Sequence, residues 1–503
     1  MERNSGDQPC PIGNGGAVPL DRLPVLSPAQ FRRAIIEACG VGGRLGAMAV
    51  LPGPADERII LALLAEDRQS RLALVGTKMP AQGEHLTALT AELPQAQAFE
   101  RELAEQHGVA FADHPWPKPL RRHAELEGPA VGDDPHAFYR VDGAGIHEVA
   151  VGPVHAGIIE PGHFRFQCHG ETVLHLEIQL GYQHRGAEDL MLRGTSARRL
   201  AVAETIAGDT SIGHGLAHCM LLEAVAGVEV SRRADDLRAI AIELERLANH
   251  VGDLGALCSD VGYLPGASWL GRLRGEFLNL SLELCGSRFG RGLLVPGGVR
   301  FDLPPEMHKS FLGRLAAAEA DLDHIVDLVF SAPAVTSRFE GTGVVASDLA
   351  EAIGLVGPAG RASGCVRDVR HDYPFASFRR FSIEPATATS GGVMARAQIR
   401  SRECRASIDF VRARVLDLAD GSLAMPMAAM RPSQVAVAMT EGWRGEIVHL
   451  AATGTDGRLN AYKIVDPSFH NWLGLALALR GNQISDFPLC NKSFNLSYAG
   501  HDL

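Results

Sequence analysis

The chain has 503 residues, 46% of them hydrophobic and 21% charged, the composition of a folded globular protein long enough for two domains. A formal net charge of −11 argues against non-specific nucleic-acid binding, which needs basic surface. No apolar run reaches the roughly 18 residues that a membrane-spanning helix needs, and the first residues, Met1-Glu2-Arg3-Asn4-Ser5-Gly6-Asp7, lack the apolar core of a secretory signal.

Residues 1–22 are rich in Gly and Pro and read as a flexible tail. Residues 23–118 read as a small α/β domain. Helical spacing runs over 30–38, and 46–51 and 59–64 are apolar runs that predict paired strands around a Pro/Gly turn. Residues 86–107 read as one helix. His114-Pro115-Trp116-Pro117-Lys118-Pro119 cannot be regular structure, because proline lacks the donor and fixes φ. A linker is therefore expected over 119–147.

Residues 148–503 read as a larger second domain. Alternation through Phe164, Phe166 and Cys168, then over 173–180, predicts a small antiparallel sheet. Two long helices are expected over 197–227 and 231–258, the second capped by Ser231. In it Leu237, Ile240, Leu244, Leu247, Val251 and Leu254 recur at the steps of a buried face. Further helices are expected over 269–290 and 312–330. The fold class is thus α+β: a small α/β N-terminal domain, then a long-helix bundle with peripheral antiparallel sheets. The nine cysteines include no Cys-x-x-Cys pair and stand singly in apolar surroundings. They read as buried thiols, so no iron-sulfur cluster held by this chain alone is expected.

Two stretches nearly three hundred residues apart carry the chemistry: Gly208-Asp209-Thr210-Ser211-Ile212-Gly213-His214-Gly215-Leu216-Ala217-His218, and the segment from Ser485 to Leu503 containing Ser497-Tyr498-Ala499-Gly500. Both resemble the metal-binding motifs of the large subunit of nickel-iron hydrogenases. Each motif there holds a Cys-x-x-Cys pair. The four matching positions here are Ser211, His214, Ser497 and Gly500.

The resemblance continues in order along the chain. Val151-Gly152-Pro153-Val154-His155 and Glu160-Pro161-Gly162-His163 resemble the opening of the formate-hydrogenlyase-type large subunit and of the 49 kDa subunit of complex I. There the loop histidine, here His155, reaches a quinone head group. His184-Arg185-Gly186-Ala187-Glu188 resembles the His-Arg-Gly-x-Glu motif, whose glutamate relays protons, the task of a partly buried carboxylate with a raised pKa. Pro296-Gly297-Gly298, Gly357-Pro358-Ala359-Gly360-Arg361-Ala362-Ser363-Gly364, Glu441-Gly442-Trp443-Arg444-Gly445-Glu446 and Val465-Asp466-Pro467-Ser468-Phe469 extend the match. Phe99 to Val109 resembles the signature of complex I's 30 kDa subunit, a module fused ahead of the large subunit in formate-hydrogenlyase-type enzymes. At the level of the family, NADH and NAD chemistry comes with the likeness.

The resemblance implies a frame that has lost its ligands. Nickel and low-spin iron need soft thiolates; two serines, one histidine and a glycine do not supply them, so no metal is expected and none of these residues is assigned as a ligand. It further implies an iron-sulfur small subunit of complex I type as partner, membrane antiporter-like subunits beneath, and a position in the cytoplasm against the inner face of the cell membrane. Two readings stay open. In one, His155, Thr210, Ser211, His214, His218 and Ser497 surround a quinone-like acceptor at the lost metal site, with Glu188 and His155 catalytic. Complex I carries a tyrosine near Thr210, which leaves the second contact open. In the other, the chain is a structural pseudo-hydrogenase subunit. These residues are expected to converge with Glu188 and the segment 493–501 on one polar pocket.

Overall fold

The computed structural model describes residues 8–53, 57–121, 138–157 and 159–503. The linker expected over 119–147 falls largely outside the described residues. Near the N-terminus, Ser27 closes a capping box with Gln30 and Pro28 takes the first helical position, so the helix Pro28–Gly40 starts where the chemistry asks. Strands Arg44–Pro52 and Arg58–Glu66 pair as their apolar runs predict, and Arg71–Lys78 adds a third antiparallel strand that was not expected.

The expectation of a tail over 1–22 is corrected for the residues described. Cys10–Ile12 pairs with the strand Arg71–Lys78 of the first sheet. Gly16–Pro19 pairs with Gln434–Gly442 of the C-terminal sheet. Gly and Pro here shape the passage between two sheets rather than leave the chain loose. The single helix expected over 86–107 is also corrected. Leu86–Thr87 is a short strand and the helix is Gln97–His107. The Glu100 carboxylate accepts from the Leu89 and Thr90 amides, and Pro94 has no amide to donate, so the chain turns before the helix begins.

In the C-terminal region His163–His169 pairs with Thr172–Gln179 and with Ile146–Val151. Arg232–Asp260 packs on Leu264–Cys285 and Val393–Leu416 to form the helical core. All six residues of its predicted apolar face are buried. The helix expected over 197–227 is two helices, Ser196–Ala203 and Ser211–Ala226. Between them Asp209 is held by Arg444, while its carbonyl accepts from Asn249 and Trp443. Those tertiary bonds replace the helical ladder. Glu243, Arg246 and His250 face inward: Arg246 and Arg370 pair with Glu243, and His250 Nε2 lies 2.7 Å from Glu403.

The two regions are pinned together by buried charge. Arg44 lies between Asp67 and Glu446, and is 3% exposed. Lys463 of the strand Leu459–Val465 donates to both Glu102 (2.7 Å) and Glu188 (2.9 Å). Arg121 donates to Glu102 and to the carbonyl of His501. The N-terminal helix Gln97–His107 is thereby tied to the strand Leu459–Val465, to Glu188 and to the C-terminal segment.

Candidate functional site: a buried polar centre at the two motif segments

The helix Ser211–Ala226 sets out Ser211, His214 and His218 at three- and four-residue steps, hence on one face. Its first free amides are satisfied by Glu245, which accepts from Ile212 N (2.7 Å) and Gly213 N (3.1 Å). Burial pushes the Glu245 carboxyl up to about 8 despite these two bonds. Against this face the antiparallel strands Gly445–Thr453 and Leu459–Val465 bring His449 and Tyr462. Asp466 follows directly and caps the helix Pro467–Ala478, accepting from Ser468 N at 2.8 Å.

These side chains form one unbroken hydrogen-bonded chain. His214 Nε2 lies 3.0 Å from Asp466 Oδ2 and His214 Nδ1 lies 3.1 Å from His449 Nε2. His449 Nδ1 is 2.8 Å from the Tyr462 hydroxyl, which is 2.9 Å from His218 Nδ1. All five residues are buried. Burial and the charge of Arg199 push His218 down to about 3, and burial beside His214 and His218 holds His449 well below the usual imidazole range. Burial alone would raise Asp466, but the hydrogen bond and charge of His214, with Arg444 nearby, hold it below the usual carboxylate range.

The C-terminal segment closes over Asp466. Ser497 caps the last turn, accepting from Gly500 N at 2.9 Å, and its own amide donates to Ser468. A Cβ on Gly500 would stand 2.5 Å from Asp466 Cγ and 2.8 Å from both carboxylate oxygens. The side-chain space at 500 is therefore filled by Asp466.

The residues singled out in the sequence divide into three groups. His214 and Gly500 meet Asp466 directly, Ser497 is joined to it through Ser468, and His218 stands at the far end of the hydrogen-bonded chain. Thr210 and Ser211 lie beside them with their hydroxyls engaged: Thr210 accepts from Trp443 Nε1 and Arg444, and Ser211 accepts from Arg291 Nε at 3.3 Å. His155 and Glu188 are set apart. His155 donates to the Gly162 carbonyl at 2.9 Å and lies against Phe164, which in turn meets Tyr498. Glu188 accepts from Lys463 and from the Ile464 amide. It lines a cleft of about 530 Å³ between the N-terminal sheet and the strand Leu459–Val465, and Tyr462 is on the same wall. None of His155, Thr210, Ser211, His214, His218 or Ser497 lines that cleft. The expected single polar pocket is thus corrected to a packed hydrogen-bonded chain with Glu188 on a separate, neighbouring cleft.

Asp466, His449, Tyr462, Glu245 and Arg444 complete the centre, and sequence reasoning assigned none of them to it. Asp466-Pro467 carries a signal, since Asp before a first-turn proline is an N-cap signature. His449 and Tyr462 sit in buried strands and carry none.

A nickel-iron group does not fit this donor set. The four positions offer no thiolate, one is a glycine whose side-chain space a carboxylate fills, and His214 has both ring nitrogens engaged. Among the described residues, no three His, Cys, Asp or Glu side chains stand where they could share a metal ion.

An α+β chain whose buried polar centre is assembled from an internal helix start and the C-terminal turn has the plan of a hydrogenase-type large subunit. Residues 260–434 match the family described as the 49 kDa subunit of the respiratory-chain NADH dehydrogenase. The chain is 32% identical over 350 residues to the carbon monoxide-induced hydrogenase of Rhodospirillum rubrum, covering 69% of this chain and 97% of that protein. It is 27% identical over 462 residues to hydrogenase-4 component G of Escherichia coli, covering 88% and 80% respectively. It is 29% identical over 364 residues to NADH-quinone oxidoreductase subunit 4 of Thermus thermophilus, covering 67% and 89%. The chain belongs to the family formed by energy-converting hydrogenase large subunits and the complex I 49 kDa subunit. Among the described residues no helix is long and apolar enough to cross a membrane.

Proposed function

We propose that the chain is the metal-free large subunit of a membrane-associated complex related to complex I and to energy-converting hydrogenases. The single observation that carries this reading is the packing of Asp466 into the side-chain space of Gly500 with His214 bound to it. A redox metal centre has given way to proton-bearing side chains, so the work assigned to this centre is proton handling coupled to electron transfer elsewhere in the complex. On this reading an iron-sulfur small subunit of complex I type brings the electrons, a quinone-like molecule accepts them, and antiporter-like membrane subunits move ions. His155 would meet the acceptor at the Phe164–Tyr498 side of the centre, and Glu188 would pass protons through its cleft. The relatives' names, which include NADH-quinone oxidoreductase subunits, support a quinone-like acceptor and a place in a complex of several subunits.

A second reading, a structural pseudo-hydrogenase subunit, is favoured by Thr210, Ser211 and Ser497, whose hydroxyls are all bound within the protein. Turnover of the assembled complex with quinone analogues separates the two. His155→Ala and Glu188→Gln should each lower turnover while the complex remains assembled. Unchanged turnover in both leaves the scaffold reading.

A further inference from the structure

With His214 neutral, the hydrogen-bond partners set the direction of every bond in the buried chain. Asp466 has no donor as a carboxylate, so His214 Nε2–H donates to it. A neutral His214 then has a bare Nδ1, and His449 must donate to it through Nε2–H. His449 Nδ1 is then bare and accepts from the Tyr462 hydroxyl. The tyrosine oxygen in turn accepts from His218 Nδ1–H. His218 Nε2 is left as a lone pair, buried and without a partner among the described residues. All donors point one way, toward Asp466, and the far end is an unoccupied acceptor.

We propose that this chain is a proton wire, loaded at His218 Nε2 and storing its proton on His214 against the Asp466 carboxylate. One proton binds His218 Nε2. His218 Nδ1–H passes to the Tyr462 oxygen, the Tyr462 proton passes to His449 Nδ1, and His449 Nε2–H passes to His214 Nδ1. Each bond broken is matched by one formed. One proton enters, His218 and His449 end neutral with their tautomers exchanged, and the positive charge rests on His214. The three bonds from His218 to His214 survive with reversed direction while His214 goes on donating to Asp466, so the loaded and empty states use one packing. His218 and His449, pushed down by burial, do not retain the charge, and Asp466 stabilises it at the other end. The charged and titratable groups facing the chain are Arg444, Asp209 and His470 around Asp466, and Arg199, Glu188 and Cys219 around Tyr462 and His218. Arg444 and Asp209 neutralise each other in a direct ion pair.

The proposal deepens the proton-handling side of the reading above but needs no electron acceptor, so it is tested on the purified full-length chain without turnover. The chain is labelled with ring ¹⁵N-histidine, and the three histidines are assigned from His214→Gln, His218→Gln and His449→Gln. At neutral pH the expected tautomers are Nε2–H for His214 and His449 and the rarer Nδ1–H for His218. As pH falls, His214 should become doubly protonated first. In the same titration step His218 should change to Nε2–H and His449 to Nδ1–H, both remaining neutral. Tyr462→Phe should leave His214 able to charge while His218 no longer changes tautomer with it. If Tyr462→Phe does not fold, the wild-type tautomers decide alone. Nε2–H on His218 at neutral pH, His218 charging before His214, or three histidines unchanged down to the pH of unfolding would each overturn the proposal.

Discussion

Gly500→Ala tests how tightly Asp466 fills the side-chain space at position 500. The added methyl would meet Asp466 Cγ at 2.5 Å and both carboxylate oxygens at 2.8 Å, closer than atoms pack without one of them moving. Asp466 is the group that must move, and it holds the Ser468 amide and His214. Loss of the helix cap costs about 1 kcal/mol, and loss of a hydrogen bond to a charged group about 1.5–3 kcal/mol. The expected destabilisation is therefore about 2.5–4 kcal/mol, from these two terms together. Chemical denaturation of the purified chain should show a lowered midpoint at unchanged m. In an Asp466→Ala background, where the clash is gone, the same substitution should cost less than about 1 kcal/mol, the signature of two residues in direct contact. A fully additive cycle, or a Gly500→Ala chain as stable as wild type, would refute the packing argument.

Arg44→Ala leaves the buried Glu446 without the cation that holds it, while Asp67 keeps Arg367 and Tyr373. The expected loss is about 3–5 kcal/mol by denaturation, and a loss within experimental error would show that the two regions do not depend on this pair. Glu245 gives a pH signature. Its folded carboxyl is raised to about 8, so between the unfolded value near 4.3 and about 8 the native state binds the extra proton, and that stabilisation is lost as pH rises. Wild type should lose stability relative to Glu245→Gln over this window, at up to about 1.4 kcal/mol per pH unit. A difference that is flat or rises with pH would contradict the assignment. Lys463→Met should weaken the tie between the helix Gln97–His107 and Glu188, seen as faster hydrogen exchange along that helix; unchanged exchange would show that the tie is not structural.

The sequence carried the elements whose signals are local. Ser231 marks a helix start that the structure keeps, and the Leu237-to-Leu254 face is buried as its spacing predicts. Where the reading failed, distant residues decided. The break at Asp209 is imposed by Arg444, Asn249 and Trp443, and the strands at 10–12 and 16–19 exist because two sheets elsewhere offer open edges. The site shows the same division. Both motif segments, with Ser211, His214, Ser497 and Gly500 at the positions that match the family's cysteines, were legible as residue types in order. That Asp466 would fill the space beside Gly500, and that His449 and Tyr462 would join His214 to His218, depends on strand register across the C-terminal sheet. No periodicity announces that. The pocket expected there was inferred from the loss of ligands, and a neighbouring carboxylate took the volume instead.

The central claim, that proton-bearing side chains have replaced the metal centre, is tested most directly by metal content. The complex would be isolated through a tag on this chain from cells grown with nickel, and nickel and iron measured against chain concentration. Iron from partner clusters is expected, so nickel discriminates. No stoichiometric nickel is expected, even when nickel is supplied in excess. A nickel atom bound by each chain would contradict it.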